Sequence, residues 1–303
     1  MSSTTIEPAG EGRARPLAVA GLVAAALFWA GNIVVGKLVA PVLGPVSLLF
    51  WRWAIAVVPL LVIAVTAERP RWREVLRSWW LLVLLAGTGM CGYGLLLYAA
   101  LQYTDVVNAS LINAFNPALI AVAAAVFLRE RLRATELVGI GIALVGVLVV
   151  LTRGDLAGLF RIGYGTGDLL MVLAICSWTA YTVLGRRVRH LPPITVAATQ
   201  AVIAVLVLAP VVALTGLNVP TSAGAVCATL FIALFPSVLS YLFWNRGVLV
   251  VGAARAGAFM NLITLFAIPL SLATGATLDA PQLAGGLVVL TGVAITSLRA
   301  RRA

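Results

Sequence analysis

Amides, hydroxyls and aromatic rings set into apolar segments are the residues of this chain that could do chemistry. Ser110, Asn113 and Pro117 recur at helical spacing, with Asn108 and Asn116 beside them. Unsatisfied polar groups are costly inside a bilayer, so such a stripe is expected to face protein or water. Trp29, Asn32 and Gly36 form a second stripe, and Trp178, Tyr181 and Gly185 a third. Ser237, Ser240, Tyr241, Trp244 and Asn245 share one face of a fourth segment. Met90, Tyr93, Leu97 and Tyr98 mark a fifth, and Asn261 and Thr264 a sixth.

A single Ser or Asn within a span serves equally well to join helices. Together, these residues read as the lining of a central cavity with aromatic walls and uncharged polar groups. The binding candidates are Trp29, Asn32, Tyr93, Tyr98, Asn113, Asn116, Trp178, Tyr181, Ser237, Ser240, Tyr241 and Asn261. Trp29, Trp178 and Tyr181 lie too deep for the aromatic belts of a membrane surface.

Charge inside the apolar segments is scarce. Lys37 and Arg52 lie in the outer third of their segments, and Asp105 sits in a very short turn. Two readings stand for the cations. They reach the outer interface along their own stems, or they contact an outer gate or a substrate carboxylate, with Asp105 or Asp168 as neutralising partners. No Asp or Glu lies near the middle of a span, which makes simple proton antiport and a strongly cationic substrate poor fits. An enzyme would need clustered Asp, His or metal ligands, and none stands out. Cys91, Cys176 and Cys227 lie in or beside apolar runs and read as small buried hydrophobes. No metal-ligand spacing occurs, and no metal or cofactor is expected.

Composition says what positions these residues. Of 303 residues, 62% are hydrophobic and 10% charged, against about 25% charged in soluble domains. Mean hydropathy is +1.08. The expected class is an all-α integral membrane protein. The net charge of +11 gathers at segment ends, as membrane orientation requires, so nucleic acid is not an expected partner. Spans are predicted near 17–40, 45–66, 79–102, 106–128, 134–152, 166–188, 193–215, 222–246, 252–274 and 281–299, ten in all. Basic residues crowd alternate connections, which predicts cytoplasmic N and C termini.

Two halves resemble each other. Phe28-Trp29 through Gly36-Lys37 matches Ser177-Trp178 through Gly185-Arg186 at an offset of 149, and Glu136 through Gly146 matches Gln282 through Gly292 at 146. Five helices per copy is an odd number, so the second copy enters inverted, an architecture common among secondary transporters. The expected organisation is a disordered tail over 1–16, a first five-helix repeat over 17–152, a linker over 153–165 and a second repeat with a basic tail over 166–303.

Several motifs resemble one known family. Trp29, Gly31, Asn32 and Lys37 in the first span, and Phe50-Trp51-Arg52 in the second, are similar to its opening. Ala100-Leu101-Gln102-Tyr103-Thr104 through Asn116-Pro117, then Leu128-Arg129-Glu130-Arg131-Leu132, resemble the end of its first repeat. These are marks of the EamA branch of the drug/metabolite transporter superfamily, and within it the chain looks most like the YddG-type exporters. The resemblance covers the chain after residue 16. The chain departs from the pattern at Ile263-Thr264 and Ala276-Thr277.

The resemblance implies ten helices, two inverted repeats and a central cavity. The function it implies is export of amino acids, including apolar and aromatic ones, across the bacterial inner membrane. The expected partners are the lipid bilayer and the amino-acid substrate, with the chain a monomer or weak oligomer. Transport of another class, such as nucleotide sugars, organic phosphates or lipophilic drugs, remains the alternative. Phosphorylated cargo would want several mid-span cations.

Overall fold

The computed structural model describes residues 11–129, 134–155, 165–251 and 258–298. The expected tail, the linker and the basic C-terminal end lie wholly or partly outside these residues. Among the described residues all regular structure is helical. The apolar helices, in chain order, are α1 (Arg15–Leu43), α2 (Pro45–Glu68), α3 (Trp79–Tyr103), α4 (Val106–Phe127), α5 (Leu137–Leu151), α6 (Thr166–Val188), α7 (Pro193–Thr215), α8 (Ala223–Val251), α9 (Phe259–Ala273) and α10 (Ala280–Gly292). Seven have the length and apolarity of a membrane crossing, whereas α5, α9 and α10 are apolar over only 10–17 residues. The ten full-length spans expected are therefore seven long helices and three shorter ones. A further short helix, Trp72–Arg77, lies where only a connection was expected.

Local chemistry sets the breaks. Pro45 and Pro193 open α2 and α7, where a missing N–H removes no helical bond. Asp105 caps α4 by accepting from Asn108 N at 2.8 Å. Farther along α4 the helix is interrupted at Phe115, just before Asn116-Pro117, because proline cannot donate to the preceding turn. Three helices carry widened π-helical stretches, Ala64–Glu68 at the end of α2, Ala86–Tyr93 in α3 and Phe235–Leu239 in α8, and the starts of the last two are 149 residues apart.

The outside of the bundle is apolar. Leu17, Phe127, Leu214 and Leu249 are 72, 75, 88 and 80% exposed, a surface suited to acyl chains rather than water. Cys176 and Cys227 also face outward and Cys91 is half-buried, so the expectation of three buried thiols is corrected.

Helix contacts repeat when the two halves are exchanged. α1 packs on α8 and α9, as α6 packs on α3 and α4; α2 meets α7, α4 meets α9, and α5 meets α10. The α2–α7 pair is tied at both ends. Glu68 accepts from Ile194 N, Thr195 N and Thr195 Oγ1 at 2.9, 2.7 and 2.7 Å, while Asn218 N, just past the end of α7, donates to Ser47 Oγ in the first turn of α2 at 3.1 Å. The start of each helix thus lies by the end of the other. The α5–α10 seam is backbone-close. A methyl on Gly146 would stand 2.5 Å from Val289 N and 2.7 Å from Gly285 O.

Candidate functional site

The bundle encloses a cavity of about 720 Å³. Trp29, Asn113, Asn116, Trp178, Tyr181, Tyr241 and Asn261, all binding candidates from the sequence, line it. Gln200, Trp244, Asn245, Met260 and Ile263 join them, and the space runs on to Gly185, Arg189 and Pro193 at the α6–α7 connection. At its other end it narrows to a recess of about 60 Å³, where Asn32, Arg52, Trp53, Met90 and Tyr93 form the wall. Trp29, Asn113, Asn116, Trp178 and Tyr241 border both parts.

Two aromatic walls face this space in matching positions. Trp29 meets Tyr241 with ring centroids 6.3 Å apart and perpendicular, and Trp178 meets Tyr93 at 5.0 Å. Trp178 stands 149 residues after Trp29, and Tyr241 stands 148 after Tyr93. Each wall extends by one more ring, Trp244 at 5.5 Å from Trp29 and Tyr181 at 4.9 Å from Trp178. The π stretches help to hold them. A widened turn turns backbone groups outward, and such turns recur at functional sites. Trp29 Nε1 donates to Pro236 O at 3.0 Å, and Ser177 Oγ donates to Thr88 O at 2.8 Å. At Gly89 the Tyr181 ring occupies the space a methyl would need.

The amides are partly committed. Asn113 Oδ1 accepts from Tyr93 OH at 3.3 Å, and Asn116 Oδ1 accepts from Thr179 Oγ1 at 3.2 Å. Among the described residues their N–H₂ groups have no protein acceptor, which leaves them for water or a ligand. Both asparagines flank the interruption of α4 at Phe115, beside the cavity.

Tyr98, Ser237 and Ser240 do not line the cavity. All three are fully buried. Ser240 Oγ donates to Ala25 O at 3.3 Å and joins α8 to α1. Tyr98 OH donates to Asn32 Oδ1 at 2.8 Å, and Ser237 Oγ to Ile232 O at 2.8 Å. Their helical face is wider than the cavity, and spacing alone does not separate the two.

The expected charge partnerships are replaced by others. Lys37 Nζ donates to Leu101 O and Thr104 O, both at 2.8 Å, at the end of α3. A cation there also meets the negative end of the helix dipole. Asp168 accepts from Thr104 Oγ1 at 2.7 Å. Gln282 Nε2 donates to Asp105 Oδ2 at 3.2 Å and Asn108 Oδ1 at 2.9 Å. These contacts join α1, α3, α4, α6 and α10 at the end of the bundle opposite the α6–α7 connection. Arg52 has no carboxylate partner among the described residues.

Sequence reasoning missed Gln200. It is fully buried, and neither amide atom has a protein partner among the described residues. The available signal was its isolation in an apolar helix. Pro45 and Pro193 start α2 and α7 148 residues apart, and the same offset carries Arg52 onto Gln200.

A multi-pass membrane bundle around a polar, aromatic-walled cavity defines the class of membrane transporters. The EamA-like transporter family matches residues 16–152 and 165–298, one copy in each half, and this chain belongs to that family. An uncharacterized transporter of Bacillus subtilis, YyaM, is 31% identical over 257 residues, covering 84% of each chain. An uncharacterized transporter of Archaeoglobus fulgidus is 26% identical over 90% of this chain and 94% of its own. The Escherichia coli inner membrane transporter YhbE, also uncharacterized, is 28% identical over 162 residues, covering 52% of this chain and 50% of its own. A solved crystal structure with 20% identity superposes with a TM-score of 0.68 over 95% of this chain and 100% of that one, and shares the fold.

Proposed function

We propose that this protein is a secondary transporter that exports amino acids, apolar and aromatic ones included, or similar small metabolites by alternating access. The two mirrored Trp–Tyr walls carry this reading. They present ring faces to an apolar side chain, while the asparagine N–H₂ groups serve a polar head. All ten apolar helices cross the bilayer as two inverted five-helix repeats, with α5, α9 and α10 as the shorter crossings. Contacts that interchange between the halves support this arrangement. The chain sits in a bacterial inner membrane with both termini cytoplasmic, because Arg186, Arg187 and Arg189 cluster at the α6–α7 connection. The cavity reaching Arg189 is then the cytoplasmic entrance. With no carboxylate among the described residues that line either part of the cavity, the transport is facilitative rather than proton-coupled.

The test is uptake of labelled phenylalanine and leucine into proteoliposomes. Wild-type protein should carry both, and Trp178→Ala or Asn113→Ala should each slow flux at least tenfold at unchanged protein content. If both variants transport at the wild-type rate, the site is elsewhere; if wild type moves neither amino acid, the substrate class is wrong.

A further inference from the structure

Arg52 is a cation placed deep inside the protein, with no counter-charge among the described residues. It is 6% exposed and forms part of the wall of the narrow recess. Its Nε donates to Ser237 Oγ at 2.7 Å and its Nη1 to Tyr98 OH at 3.0 Å, and its guanidinium carbon stands 4.8 Å from the Trp53 ring centroid. Both hydroxyls send their own protons elsewhere, Ser237 to Ile232 O and Tyr98 to Asn32 Oδ1. Their lone pairs are therefore fixed toward the guanidinium. This fixes the position of the cation but does not neutralise it. A guanidinium has five N–H donors in a planar fork. Two are used, and the remaining N–H groups on Nη1 and Nη2 have no protein acceptor among the described residues.

We propose that Arg52 is the anchor for a carboxylate on the transported molecule, held at the narrow end of the cavity. A buried charge lacking a partner is unfavourable, and a carboxylate matches the free edge of the guanidinium in shape as well as charge. The site is single. The corresponding position in the second half is Gln200, which is polar without charge. A cargo seated there keeps its side chain among the rings of Trp29, Trp178 and Tyr241, which border both the recess and the wide cavity. This inference rests on the transport reading, and it makes a carboxylate the obligatory part of the cargo where an ammonium group is not.

The experiment measures binding to the purified full-length protein in detergent by calorimetry. Two matched series serve as probes: phenylalanine, phenylalaninamide, phenethylamine and 3-phenylpropanoate; and leucine, leucinamide, isopentylamine and 4-methylpentanoate. Wild type should bind the carboxylate-bearing members at least tenfold more tightly than their amide and amine counterparts. Arg52→Gln should abolish that preference, and Arg52→Lys should retain part of it. Melting of the ligand-free proteins separates a binding role from a structural one. Arg52→Gln loses two hydrogen bonds and the Trp53 contact but also relieves an unpaired buried charge, so the ligand-free variant should stay folded and melt close to wild type.

Equal binding within each series, binding of none of the probes, or a carboxylate preference that survives in Arg52→Gln would overturn the assignment. So would an Arg52→Gln protein that fails to fold while Arg52→Lys loses the preference. Binding of the two simple carboxylates without the amino acids would uphold Arg52 and discard amino acids as cargo. Equal binding of amino acids and their amides, with flux in liposomes, would do the reverse.

Discussion

Gln200 lines the cavity with an amide that the described residues leave without a hydrogen-bond partner. Both of its amide atoms are buried and, among the described residues, lack a protein hydrogen-bond partner, and each such group costs about 1–3 kcal/mol. Gln200→Leu should therefore raise the melting temperature in detergent while reducing flux several-fold; a variant that melts lower would show that the amide is satisfied within the fold. The cavity residues were legible because a lone amide or ring within an apolar helix is expensive and needs a reason. Asn113, Asn116, Trp178 and Tyr241 stood out on that ground. Tyr98 and Ser237 stood out equally, yet they turn inward to hold Arg52. That difference depends on helix rotation and on partners from α1, α2 and α8, which linear spacing does not encode.

At the scale of elements, helix positions were largely readable because continuous apolar runs ended at prolines and arginines. The π stretches of α3 and α8 were not readable, since their composition resembles that of an ordinary helix and only the backbone registers the extra residue. Glycine function was also hidden. Gly141 and Gly146 lie on the same helix, yet a methyl on Gly141 meets nothing within 4 Å, whereas one on Gly146 meets backbone of α10. Gly146→Leu should thus force the α5–α10 seam apart, at about 1–3 kcal/mol or more. Gly141→Leu should be nearly silent. Paired thermal melts check this, and equal shifts for the two variants would mean that the seam yields without strain.

For the whole molecule, the two ends are unlike. One has a cavity reaching the α6–α7 connection. The other is joined by Lys37 to the end of α3, by Thr104 to Asp168, and by Gln282 to Asp105 and Asn108. A transporter that alternates must break such contacts once in every cycle, because cargo otherwise has no exit. The seams α2–α7 and α5–α10 each pair corresponding helices of the two halves, and on the proposed alternating-access cycle the halves rock about them while α1, α3, α6 and α8 change partners. The prediction is that tying the closed end stops transport without closing the open one. Asn108→Cys with Gln282→Cys, in a protein whose Cys91, Cys176 and Cys227 are replaced by alanine, should be bridged by a short thiol cross-linker. Flux in liposomes should then stop and return on reduction. A maleimide probe should still label Asn245→Cys in the cross-linked protein, since Asn245 lines the cavity on the open side. Undiminished flux through the bridged protein would rule out opening at this end. Loss of Asn245→Cys labelling on bridging would instead mean that the two ends do not move in opposition.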